Sequence, residues 1–197
     1  MEVRTLRPSD IPVVAEVEKV AWGDQAATPE TIARRAQVFE KGSIVVVHDD
    51  VIVGYAASQL TDHISTGTWA EQTDDGQIAG SHVPCGSLAY GVSMSARPGI
   101  SGKGVAYHVI AHYAEMYLGG GCQALCVGSR VPGFAKWRAA HSKATLQDYL
   151  RPLEDGRSRD PEIRLYNSGD FRVLWGLPGY YPDIKSDGHG AMMIRTS

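Results

Sequence analysis

The 197-residue sequence predicts a single α/β domain of the α+β kind, built on a mixed, mostly antiparallel sheet. Three observations carry that prediction. Two β-rich runs, 44–47 and 51–57, are joined by the polar turn His48-Asp49-Asp50, the signature of a hairpin. The strongest helical period, 103–118, is flanked by apolar runs at 87–95 and 124–127, which reads as strand, crossover helix and parallel strand. With 43% hydrophobic residues, a chain of this length buries about two-thirds of its unfolded surface around one core. No repeat, low-complexity tract or linker divides it, so 1–197 reads as one domain.

Residues 3–6 open as a short strand. Pro8-Ser9-Asp10 then starts a helix with Ser9 as expected N-cap and Val13, Val17 and Val20 on its buried face. Thr28-Pro29-Glu30 starts a second helix, with a capping hydroxyl before a proline at the first helical position, Ile32, Ala36 and Phe39 inward, and Gly42 as its end. After the hairpin, periodicity dissolves from 61 to 86, and a patternless stretch of that length is expected to border a site. The strand 87–95 carries Gly91, where a bulge or a close approach to the backbone is expected, and Arg97-Pro98-Gly99 ends it. On the helix 103–118, Val105, Val109, Tyr113 and Met116 share a face, and Gly119-Gly120-Gly121 stops it. The stretch 138–160 is polar, with a helix about 145–150. A helix follows over 161–168, and strands over 171–177 and 190–194 finish the chain.

Nineteen basic and 22 acidic residues leave a net charge of −3, which gives no electrostatic footprint for nucleic acid or an anionic membrane. No apolar run approaches the roughly 20 residues of a membrane span, and Met1 to Arg7 lacks a signal-peptide core, so a cytoplasmic protein is expected. Cys85, Cys122 and Cys126 form no CxxC pair and support neither a disulfide framework nor a zinc site. His108 and His112 stand four apart but have no evident third ligand, so no metal is expected.

The turn Gly99-Ile100-Ser101-Gly102-Lys103-Gly104-Val105-Ala106 reads either as a tight connection shaped by its glycines or as a ligand site. A helix start after a strand offers unpaired N–H groups at the positive end of a dipole, and small residues let an anion approach them. The spacing matches neither the Walker pattern nor the dinucleotide fingerprint. Met94 through Ala106 resembles the acetyl-CoA-binding motif of the GCN5-related N-acetyltransferases (GNAT), with Ser101, Gly102, Lys103, Gly104, Val105 and Ala106 in the six places of [RQ]xxGx[GA]. Ser101 departs from the usual Arg or Gln. Leu165-Tyr166-Asn167-Ser168-Gly169-Asp170-Phe171 resembles the same family's LYxxxGF box, with Asp170 in place of glycine, and Arg159 stands where the family often has asparagine. Gly128 to Phe134, Asp160-Pro161 and Leu177 to Asp183 are similar to acetyltransferase domains associated with carbon–nitrogen hydrolases.

The resemblance implies a six- to seven-stranded sheet with helices on both faces and splayed central strands. It implies acetyl-CoA as co-substrate, held by the loop residues and by the backbone at Met94 and Ala96, with Tyr166 as the acid that protonates the leaving thiolate. A backbone amide at Met94 or Ala96, or at Tyr90 to Val92, would polarise the thioester. The strand 88–95 holds no carboxylate, so the expected base falls to the preceding loop: His82 first, for its near-neutral pKa, then Asp74, Asp75 and Glu71. Tyr90, Arg130, Trp137 and Tyr180 are the expected acceptor contacts. The expected function is acetyl transfer to a primary amine, on a small molecule or an amino group of a larger one. Its alternative is a non-catalytic acyl-CoA sensor or regulatory module, and homodimerisation is compatible with either.

Overall fold

The computed structural model describes residues 1–99 and 102–197. Ser101 and the side chain of Lys103, both assigned to the cofactor loop by resemblance, lie outside the described residues.

Strand β1 (Glu2–Thr5) pairs antiparallel with β2 (Ser43–His48), and β2 with β3 (Val51–Thr61). Asp49 and Asp50 turn the hairpin with φ of 49° and 60°, the mirror-image turn whose twist suits the flanking strands. β3 pairs antiparallel with β4 (Leu88–Ala96), and β4 pairs parallel with β5 (Ala124–Arg130). β6 (Arg172–Leu177) and β7 (Gly190–Arg195) complete a seven-stranded sheet in the order β1-β2-β3-β4-β5-β7-β6.

Both faces of that sheet are covered, which is why 44–47 is apolar throughout instead of alternating. Ile44 and Val46 pack with Val105, Val109 and Tyr113 of α4 (Gly102–Leu118) on one face. Val45 and Tyr55 pack with Val14 of α1 (Ile11–Trp22) and Ile32 of α2 (Pro29–Val38) on the other.

Helix α1 departs from expectation. A 3₁₀ turn over Pro8–Asp10 precedes it, and Asp10, not Ser9, takes the N-cap position, its carboxylate accepting from the Arg7 N–H at 2.7 Å and pairing with Arg4 at 2.6 Å. Its buried residues are Val14, Val17 and Glu18, whereas Val20 is 61% exposed. The face is rotated toward Glu18 because β4 offers that carboxylate two serine hydroxyls. On α2, Thr28 caps as expected, accepting from the Thr31 N–H at 3.2 Å, but Arg35 joins Ile32 as the buried pair.

Two short helices were not foreseen: α3 (Trp69–Thr73), opened by a Thr68/Glu71 capping box within 61–86, and α5 (Phe134–Ala140). They are followed by α6 (Leu146–Leu150) and α7 (Pro161–Asn167). Among the described residues no helix is long and apolar enough to cross a membrane, and no cluster of three His, Cys, Asp or Glu is arranged to hold a metal.

Candidate functional site

The parallel pair sets the position of the site. β4 and β5 are paired only from Leu88↔Ala124 to Gly91↔Val127, after which they part. The register against β3 shifts between Ala57↔Ser93 and Ser58↔Gly91, so Val92 is an extra residue that bends β4 away. A cavity of about 540 Å³ opens in the gap. Ligands in sheets of this kind bind beyond the carboxyl ends of such strands. Val105, Ala106, Val109 and Tyr166 line it from the α4 side, Glu18, Trp22 and Arg35 from the α1/α2 side, so the cavity crosses the sheet.

These features fit an acyl-CoA. Met94 and Ala96 lie on β4 where, among the described residues, no strand pairs its β5-facing edge beyond Gly91, and a pantetheine chain carries the amides that such an edge can take as an added strand. The first turn of α4 adjoins it. Gly104 faces a second groove, of about 1340 Å³, between α4 and α7.

Helix α7 supplies the titratable groups. Its N-cap, Asp160, is fully buried: one carboxylate oxygen accepts from the N–H groups of Glu162 (2.9 Å) and Ile163 (3.2 Å), the other from the Gly133 N–H (3.0 Å) and the Tyr149 hydroxyl (2.8 Å). That anchoring fixes Glu162 and Tyr166, four residues apart on one helix face, against the cavity. The Tyr166 ring packs edge-on to Phe171, 5.6 Å between centroids. Its hydroxyl has no hydrogen-bond partner among the described residues, and burial, reinforced by the Glu162 charge, raises its pKa well above the ordinary value. Burial likewise pushes Glu162 up to about 7; the Arg130 charge opposes this and Asp160 adds to it. Arg130 Nη2 donates to Glu162 at 3.3 Å, and its guanidinium lies 4.5 Å from the Trp22 ring centroid.

The other sequence-assigned residues divide. Arg130 and Tyr180 line the cavity. Tyr180 and Tyr90 share a 2.8 Å hydroxyl contact beneath it, which makes Tyr90 a fully buried support for the wall, not a direct contact. His82 is not in the cavity: its Nδ1 accepts the Leu60 N–H at 3.1 Å, its ring stacks on Phe39 at 4.6 Å, and burial lowers its pKa. The histidine therefore closes the loop back onto β3 and is not poised as a base. Trp137 is also elsewhere, stacked on His141 at 4.5 Å and packed against Tyr149 and Arg159. Among the loop carboxylates, Glu71 is spent on the α3 capping box and Asp74 accepts the Gly80 N–H; Asp75 alone reaches the cavity rim.

Three charged cavity residues escaped the sequence reading: Glu162, Glu18 and Arg35. Glu18 is 1% exposed; one oxygen accepts from the Ser93 and Ser95 hydroxyls and the other from the Ala27 N–H at 3.2 Å. The carboxylate missing from β4 thus faces that strand from α1. The signal was a charged residue four positions after Val14, on the face of an otherwise apolar stripe.

No family model matches the chain, and no curated protein matches it. Solved structures do. The structure of GphF, described as a GNAT-like decarboxylase in complex with isobutyryl-CoA, is 24% identical with a TM-score of 0.77, covering 100% of this chain and 99% of that one. The loading GNATL domain of CurA from Lyngbya majuscula is 18% identical with a TM-score of 0.80, covering 99% and 96%. A phosphinothricin acetyltransferase from Sinorhizobium meliloti, in complex with AcCoA, is 14% identical with a TM-score of 0.58, covering 99% and 87%. Over its whole length the chain adopts the GNAT fold.

Proposed function

From that fold and that cavity we propose an acyl-CoA-dependent acyltransferase, which moves an acetyl group to a primary amine by direct attack on the thioester. The observation that carries it is the cavity where β4 and β5 part, with a free strand edge on one wall and Tyr166 and Glu162 on another. Acetyl transfer needs an amine without its proton, a polarised carbonyl and a proton for the thiolate. Bound acetyl-CoA would supply the activated acyl group. Glu162, near half-ionised at neutral pH, accepts the amine proton. Tyr166, held protonated by burial, donates to the sulfur. Backbone N–H groups on β4 around the Val92 bulge polarise the carbonyl, a role that leaves no side-chain trace. Met94, Ala96 and the residues from Ser101 to Ala106 hold the coenzyme, and Arg130 and Tyr180 bound the acceptor space.

A second reading has its own support. GphF, the 24% identical neighbour, is described as a decarboxylase, and the same cavity would suit loss of CO₂ from a β-carboxyacyl thioester, with a proton returned to the α carbon. Calorimetry with acetyl-CoA, followed by thiol release across a panel of amines, separates the two. Binding with amine-dependent thiol release is the expected result. Binding without it, but with CO₂ evolved from malonyl-CoA, selects the decarboxylase, and no binding at millimolar acetyl-CoA removes both.

A further inference from the structure

Of six buried side-chain nitrogen or oxygen atoms left without a hydrogen-bond partner among the described residues, three belong to residues lining the one cavity: Trp22 Nε1, Arg35 Nη1 and Arg130 Nε. All three are N–H donors. A buried donor without an acceptor costs about 1–3 kcal/mol, so three around one space indicate an acceptor that belongs there. Arg35 is the strongest indication. It is 2% exposed, its Nε donates to the Gly76 carbonyl at 2.7 Å, and its buried Nη1 finds no acceptor among the described residues. No carboxylate among the described residues comes within the 4.0 Å of an ion pair, although a buried guanidinium is costly without a counter-charge.

We infer that the α1/α2 side of the cavity is a carboxylate subsite, with the Arg35 fork as its anchor and Trp22 and Arg130 as flanking donors. The inference rests on the acyl-CoA reading and names the substrate chemistry of that site. Tyr181 ties the three donors to one place: its ring meets Trp22 edge-on at 6.0 Å, and its hydroxyl feels both guanidinium charges. A planar carboxylate matches a guanidinium fork with two parallel hydrogen bonds. The acids already in the wall do not fill this role. The Glu18 oxygens are taken by two serines and the Ala27 N–H, Glu162 is paired to Arg130, and Asp75 is exposed at the rim. The carboxylate arrives by one of two routes, on the acyl group of a dicarboxylic monothioester or on an acceptor that carries amine and acid together.

Two titrations distinguish the routes. Malonyl-CoA is compared with acetyl-CoA by calorimetry, and L-alanine with L-alaninamide on protein saturated with CoA. One comparison is expected to favour the carboxylate form by about tenfold or more, the value of a charged hydrogen-bonded contact. The malonyl arm identifies the acyl route and the alanine arm the acceptor route. Arg35→Met should abolish the preference and Arg35→Lys should keep part of it. Trp22→Phe, which retains a ring but loses the N–H, should reduce it less. If Arg35→Met does not fold, the wild-type ratios and Arg35→Lys decide. Equal affinities within each pair, in protein that binds acetyl-CoA, overturn the subsite while sparing the coenzyme reading. A preference that survives in folded Arg35→Met also overturns it. Failure of every CoA ester to bind removes the coenzyme reading and the subsite with it.

Discussion

Tyr166→Phe takes one oxygen from a side chain that packs against Phe171 and makes no hydrogen bond among the described residues, so stability should hold while turnover falls. A general acid contributes about 10²–10⁴-fold, so kcat should drop by at least about 100-fold with little change in acetyl-CoA affinity, measured by thiol release and calorimetry. Equal losses in both would assign the tyrosine to packing. Glu162→Gln bears on pH. As the base, Glu162 must be ionised, so kcat/KM should rise with pH through about 7, and the variant should lose that limb. The same group acts on stability in the opposite sense. Its pKa is raised from 4.5 to about 7, so the folded state holds the proton more tightly. The associated stability is complete below about pH 4.5 and is lost as pH climbs through 7, on the order of 3 kcal/mol in all. Urea midpoints measured across that window should fall for the native protein and fall less for the glutamine variant.

Helix α7 is only seven residues long, too short to stand on propensity, so its register depends on its cap. Asp160→Ala would orphan two N–H groups of α7, the Gly133 N–H and the Tyr149 hydroxyl together. A loss of at least about 2 kcal/mol is expected from cap and buried bonds, read as a lowered unfolding midpoint. Activity should fall further than stability alone explains, because Glu162 and Tyr166 ride on that helix. The turn leaving α7 explains a departure from the resembled motif. Asp170 stands where the box has glycine and adopts φ of 64°, a left-handed conformation that aspartate tolerates better than most residues. Its ion pair with Arg195 spans 3.5 Å with the carboxylate 81% exposed and contributes little, so Asp170→Gly should be close to neutral or stabilising by a few tenths of a kcal/mol in thermal unfolding.

At the scale of the whole molecule, legibility followed locality. The hairpin of β2 and β3, the long α4 and the parallel crossing to β5 announce themselves through short-range pattern, and the structure has all of them, with β3 running on to Thr61 and β5 to Arg130. The site is less local. Glu162 follows Pro161 in a first helical turn, where an acid reads as a complement to the helix dipole, so its second use was concealed. Glu18 and Arg35 interrupt apolar stripes, and only the neighbouring elements decide that those positions point inward. His82 suited a base by its ordinary titration range, yet its place depends on how 61–86 folds back on β3, which neighbouring residues do not encode. Trp137 belongs to a helix, α5, that the polar composition hid. β4 itself carries no carboxylate, yet Glu18 and Glu162 bring acids to the same space from other elements.

Because the cavity traverses the sheet, the nucleotide-bearing donor and its partner need not share a doorway. Each is expected to approach from its own side and both to be seated before anything is exchanged. Initial velocities at varied concentrations of the two should then give intersecting reciprocal lines. Parallel lines would mean that the acyl group is parked on the polypeptide between two separate visits.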